Sequence, residues 1–182
     1  MELNKTELIF RNAELTDAQA ITELINSVYR GDNAKKGWTS EADLLGGIRI
    51  SKERIEQIIA KPDDVILLCI IDGKIAGCVH LEKRKNGKCY LGMLSVDVNY
   101  QNAKLGRLIL DKSDAYAKDI FGCVQMEIKV ISVRKELIDY YLRRGYVLTG
   151  QTEKFVVGKH IGELRLENME FVYMVKQLTN SK

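Results

Sequence analysis

Leu91-Gly92-Met93-Leu94-Ser95-Val96-Asp97-Val98-Asn99-Tyr100-Gln101-Asn102-Ala103-Lys104-Leu105-Gly106 decides how this chain is read. The stretch opens as an apolar, strand-like run ending at Val96 and passes into a polar turn. Leu105 then begins a helical pattern that runs to Ala117, with Leu108, Ile109 and the pair Ala115-Tyr116 near turn spacing. A strand that feeds a turn and then a helix start presents unpaired backbone N–H groups to an anion. The segment Gln101 to Gly106 therefore points to a phosphate-bearing ligand.

Upstream of this stretch, Val65 to Ile71 is a continuous apolar run, Asp72-Gly73 is a hairpin signal, and Ile75 to Glu82 alternates as a second strand. Asn86-Gly87 repeats the signal before Cys89 to Val96, so three antiparallel strands form a meander. Nearer the amino terminus, Glu7 to Arg11 reads as a strand. Thr16-Asp17-Ala18-Gln19 offers a capping box to a helix whose apolar face is Ile21, Leu24, Ile25 and Val28, ending near Arg30-Gly31. Between Gly31 and Gly47 the composition turns to Gly, Asp, Asn and Lys around the one tryptophan, Trp38, which reads as a connection with a short helix near Ser40. Ser51 opens another helix through Ile55, Ile58 and Ile59.

Downstream come a strand from Cys123 to Ile131, a helix near 134–144 closed by Gly145, and strand-rich stretches at Tyr146 to Val157 and Met169 to Leu178. The order predicts an α/β (α+β) fold. A largely antiparallel central sheet of six to seven strands is flanked by about four helices, in a single domain over residues 1–182.

Composition narrows the function classes. The net charge is +3, from 28 basic and 25 acidic residues, and no Lys/Arg block is interleaved with aromatics, which argues against a nucleic-acid partner. No long apolar stretch suggests a membrane span or a signal peptide. Cys69, Cys78, Cys89 and Cys123 lie in or beside apolar runs without a C-x-x-C pair, and only His80 and His160 could complete a metal set. The expectation is four buried, reduced thiols, no metal, and a cytoplasmic protein acting as monomer or homodimer.

The turn resembles the GNAT superfamily of N-acetyltransferases, whose pattern after the fourth strand is Gln/Arg-x-x-Gly-x-Gly/Ala. Gln101 and Gly106 match, and Lys104 stands where the first glycine is usual. A second signature, Tyr-x-x-x-Gly-Phe/Tyr at a helix end, is matched by Tyr141, Gly145 and Tyr146 in family order. Arg11-x-Ala13-x-x-x-Asp17 and the closing strand Val172 to Lys176 extend the similarity over about residues 7–178.

The resemblance implies transfer of an acetyl group from acetyl-coenzyme A to a primary amine of a small molecule or peptide, by direct attack in a ternary complex. Leu94, Ser95 and Val96 would pair with the pantetheine arm, and Gln101, Asn102, Ala103, Lys104, Leu105, Gly106 and Arg107 would hold the pyrophosphate. Tyr141 would stabilise the leaving thiolate by hydrogen bonding, since a phenol of pKa about 10 does not readily protonate a thiolate of pKa about 8.5. Tyr90 takes the place where a base or base relay is common, with His80, Glu41, Glu127 and Glu82 as other candidates. A strict two-residue turn at Asn86-Gly87 puts His80 and Tyr90 on opposite faces, and one more loop residue brings them together.

The acceptor would meet one wall in Gly31 to Gly47, where Trp38 covers an apolar part and Asp32, Glu41 and Asp43 hold a cationic amine; Tyr90 would also touch it. A second wall would lie in Gly158 to Asn168, with His160, Glu163 and Arg165. The alternatives are a non-catalytic acyl-coenzyme A sensor or scaffold, or an acyltransferase with another acyl group or acceptor. Arg134, at the start of the helix carrying Tyr141, replaces an asparagine usual in the family.

Overall fold

The computed structural model describes residues 7–30, 44, 47–100, 104–155 and 169–178. Seven strands form one sheet: β1 (Leu8–Asn12), β2 (Asp64–Ile71), β3 (Lys74–Arg84), β4 (Lys88–Val96), β5 (Gln125–Ile131), β6 (Val147–Lys154) and β7 (Glu170–Gln177), in the order β1-β2-β3-β4-β5-β7-β6. All neighbours are antiparallel except β4 and β5. The described helices are α1 (Ala18–Tyr29), α2 (Lys52–Ile59), α3 (Leu105–Asp119) and α4 (Lys135–Leu142). Fold class and sheet composition match the expectation.

The two faces of the sheet carry two cores. On one, Leu67, Cys69, Val79, Leu81, Leu91, Met126 and Ile128 pack under Leu105, Ile109 and Leu110 of α3 and Ile138 and Tyr141 of α4. On the other, Ile66, Leu68 and Cys78 pack under Ile21, Ile25 and Val28 of α1 and Ile55 and Ile58 of α2. Alternation along β2 produces this split, since successive side chains point to opposite faces. At Gly77 the close approach of α3 leaves no room for a side chain: a Cβ there would lie 2.7 Å from Ile109 Cδ1 and 2.8 Å from the Ser95 carbonyl.

Helix starts depart from the sequence reading in two ways. The capping box is not at Thr16. Glu14 and Asp17 supply it, around a 3-10 turn (Leu15–Asp17) that leads into α1. Asp17 also takes two bonds from the Arg11 guanidinium at 2.7 and 2.9 Å, which hold its carboxyl below the usual range. That pairing fixes the β1–α1 connection and draws Asp17 into the earlier turn. In α3, Ala115 faces solvent, whereas Leu105, Ile109, Ser113 and Ala117 form the buried i, i+4 row. Ser113 is tolerated there because its hydroxyl donates to the Ile109 carbonyl. The four cysteines are buried free thiols, and burial pushes Cys78 and Cys89 up to about 12.

The β3–β4 hairpin sets the geometry of the site. Arg84 pairs with Lys88, so the loop is Lys85-Asn86-Gly87, three residues long, with Asn86 and Gly87 at positive φ. The extra residue places His80, opposite Gly92, on the face shared by Glu82 and Tyr90. Further along, His80 faces Gly92 while Cys78 faces Ser95, so Met93 and Leu94 oppose Val79 alone. Met93 takes a φ of 51°. This bulge exchanges the faces of β4: Cys89 and Leu91 join the α3 core before it, Leu94 and Val96 after it.

Candidate active site

β4 and β5 pair only from Lys88 to Tyr90 against Gln125 to Glu127. Beyond Tyr90 the bulge turns β4 away, and a cavity of about 230 Å³ opens between the two strands. Tyr29, Arg49, Tyr90, Leu94, Lys129, Arg134, Tyr141 and Phe171 are among its lining residues. Two core layers thus meet at a gap whose floor is strand backbone.

Tyr141 reaches this cavity from α4. It is 6% exposed, with its ring edge-on to Tyr140 and Tyr146 at centroid distances of 5.4 and 5.3 Å. Burial holds its phenol well above the ordinary value, so the oxygen keeps its proton. Tyr29 enters from the end of α1, and its hydroxyl donates to the Leu94 carbonyl. This contact pins the strand just past the bulge.

Tyr90 lies along the sheet because Gly92 leaves room for its ring: a Cβ at Gly92 would meet Tyr90 Cε1 at 3.0 Å. The Arg84 guanidinium stacks 4.4 Å from the ring centroid. Burial raises the Tyr90 phenol, against the opposing pull of Lys129, Arg49 and Arg84, so it is a proton donor or relay at neutral pH rather than a base.

The remaining base candidates stand apart from the cavity lining. Glu127 bonds Arg84 at 2.9 Å and Glu82 bonds it at 3.1 Å, so both carboxylates are engaged by one guanidinium. His80 shares the face of Tyr90 yet is 9% exposed and joined through Nε2 to Asp64 on β2. Burial lowers its imidazole more than Asp64 raises it. Glu41, Trp38, Asp32 and Asp43 lie outside the described residues, as do His160, Glu163 and Arg165.

At the other end of the cavity, Lys104 caps α3 with φ 59° and makes no side-chain cap bond. It adopts the left-handed conformation for which glycine is usual, and the Leu108 N–H is already bound to its carbonyl at 3.2 Å. The amides of Leu105, Gly106 and Arg107 precede the first intrahelical bond. Of the strand trio, Leu94 lines the cavity, Ser95 is buried with its hydroxyl on the Met93 carbonyl, and Val96 packs in the α3 core. Gln101, Asn102 and Ala103 are outside the described residues.

The sequence profile of the Acetyltransferase (GNAT) family matches residues 20–146, more than half of the chain. The chain belongs to the GNAT acetyltransferase family. Comparison with curated protein sequences gives no match. Solved structures share the GNAT fold at low identity. A GNAT-family acetyltransferase from Streptococcus pneumoniae is 22% identical with a TM-score of 0.65, covering 95% of this chain and 100% of that one. The ribosomal-protein-S18-alanine N-acetyltransferase from Escherichia coli is 13% identical with a TM-score of 0.69, covering 97% of each. The yncA protein of Salmonella typhimurium, in a structure with its cofactor acetyl-CoA, is 17% identical with a TM-score of 0.68, covering 97% and 96%.

Several lining residues of this GNAT chain escape a reading of the sequence. Tyr29 follows Val28 and sits four residues after Ile25, so the helical period does mark it as inward-facing; its polar tip is the signal. Arg49, Lys129 and Phe171 carry none, because their approach depends on how far β4 and β5 diverge.

Proposed function

We propose that this protein is an acetyl-coenzyme A-dependent N-acetyltransferase that acetylates a primary amine by direct attack in a ternary complex. The observation that carries the reading is the three-residue limit of β4–β5 pairing, which leaves β4 past Tyr90 without β5 as a partner beside a phenol held in its protonated form.

Acetyl-coenzyme A fits the residues present. An extended pantetheine arm can lie between the diverging strands as a further strand does, with Leu94 against it. Its diphosphate can take the amides at the start of α3, where Lys104 already holds the turn that glycine would provide. Arg107, in the first turn, lines a second cavity of about 500 Å³ together with Arg143, Arg144 and Lys176, a basic setting for phosphate oxygens.

When bound, the donor supplies an activated acetyl carbon. The neutral amine nitrogen attacks that carbonyl carbon, the oxyanion collapses, and the C–S bond breaks with its electron pair on sulfur. Tyr141 stabilises this thiolate by donating a hydrogen bond. Transfer of the phenolic proton would be uphill by about 2 kcal/mol even with ordinary pKa values, and burial increases the gap. Tyr90 relays the amine proton toward solvent.

Thiol release from acetyl-coenzyme A across a panel of amines tests this reading. Acceptor-dependent release supports the proposal. Tight donor binding without release from any amine would contradict it and leave a coenzyme A-binding module.

A further inference from the structure

The charged residues that line the cleft, among the described residues, are Arg49, Lys129 and Arg134; none is acidic. The carboxylates nearest by sequence register are held elsewhere. Glu82 and Glu127 bond Arg84, and Glu136 bonds Arg134 at 2.6 Å. Lys129 does have a carboxylate partner, Glu153 at 3.1 Å, and its ammonium stands over the rings of Phe171 and Tyr173 at 5.3 and 5.5 Å. Glu153 lies on β6, with its side chain 47% exposed, whereas the Lys129 side chain is 23% exposed. Water therefore screens the acid more than the ammonium.

Tyr90 reports the resulting field. Lys129, Arg49 and Arg84 all act to favour its charged form, and Glu82 is the acid opposing them. The cleft beside the phenol is thus a region of positive potential with low-dielectric walls.

Resting on the N-acetyltransferase reading, we propose that the acceptor is an amine that also carries an anionic group, bound with that group against Lys129 and Arg49 and its nitrogen beside Tyr90. A purely cationic amine would meet like charge there. An amine with a carboxylate or a phosphate is drawn in by the same cations, and once seated its ammonium is disfavoured by them. The field thereby does part of what a general base would do, favouring loss of the amine proton by electrostatics. This accords with a cleft whose described lining holds no carboxylate or imidazole.

The test uses matched amines that differ only in charge: an α-amino acid against its amide, a β-amino acid against its amide, and phosphoethanolamine against ethanolamine. Acceptor-dependent thiol release should favour the anionic member by about tenfold or more in kcat/KM, the scale of one charge-assisted hydrogen bond. The carboxylate and phosphate arms distinguish which anion is preferred. Lys129→Met should raise KM for the anionic member and narrow the ratio, and Lys129→Arg should restore it. Equal or better use of the neutral members overturns the proposal alone. So does a ratio left unchanged by both Lys129→Met and Arg49→Gln. Absence of release from any amine overturns the N-acetyltransferase reading together with it.

Discussion

Among single residues, Lys104 and Tyr141 carry most of what is special here. Lys104 adopts the left-handed conformation, which costs a non-glycine residue about 1 kcal/mol. Lys104→Gly should raise unfolding stability by about that amount in urea titrations, and Lys104→Ala should not. If the ammonium touches a donor phosphate, both variants weaken acetyl-coenzyme A binding and flatten its salt dependence; unchanged affinity in both would confine Lys104 to a backbone role. Tyr141→Phe keeps the packing against Tyr140 and Tyr146 and removes only the hydroxyl. Its kcat should fall about a hundredfold while donor affinity stays within about twofold. Unaltered turnover would remove Tyr141 from the mechanism.

Between elements, the divergence of β4 from β5 is held by two contacts that stability measurements can reach. Tyr29→Phe takes the donor from the Leu94 carbonyl and should cost about 1 kcal/mol. Gly77→Ala drives a methyl against Ile109 and the Ser95 carbonyl and should cost about 1–3 kcal/mol, with partial recovery in combination with Ile109→Val. Full wild-type stability for Gly77→Ala would show that α3 can shift outward. The elements themselves are legible from the sequence. Alternation marks β2, β3 and β4, glycine turns mark their hairpins, and the 3.6-residue period marks α1 and α2. What stays hidden is local count and hydrogen bonding. Neither a third loop residue at Lys85 nor an extra residue at Met93 has a sequence signature, yet together they decide which face Tyr90, His80 and Leu94 occupy. Likewise, Asp17 caps a 3-10 turn because Arg11 reaches it across a bend, a contact that helical spacing does not encode.

Over the whole molecule, charge and burial determine how stability responds to pH. Burial depresses the His80 imidazole relative to an unfolded value of about 6.5, so below that pH the unfolded chain binds the extra proton first. Stability from this group is full above about pH 6.5 and is lost as pH falls through the window toward the folded value. Denaturant unfolding at about pH 7 and about pH 5 should therefore show a loss that His80→Gln reduces. An unchanged pH slope in that variant would mean Asp64 compensates burial fully. The family is legible from two short motifs in the right order, but the acceptor is not: the cations that shape the cleft come from α4 and β5 and from the approach to α2, and only the folded sheet brings them beside Tyr90.

All of the proposed chemistry depends on the donor lying in the gap between β4 and β5 with its diphosphate at the start of α3. Backbone hydrogen–deuterium exchange with and without acetyl-coenzyme A reads that placement directly. Added protection is expected at Leu91 to Val96 and at Leu105 to Arg107, with β1 and β2 unchanged. Tight binding that leaves those amides exchanging at their free rate would contradict it.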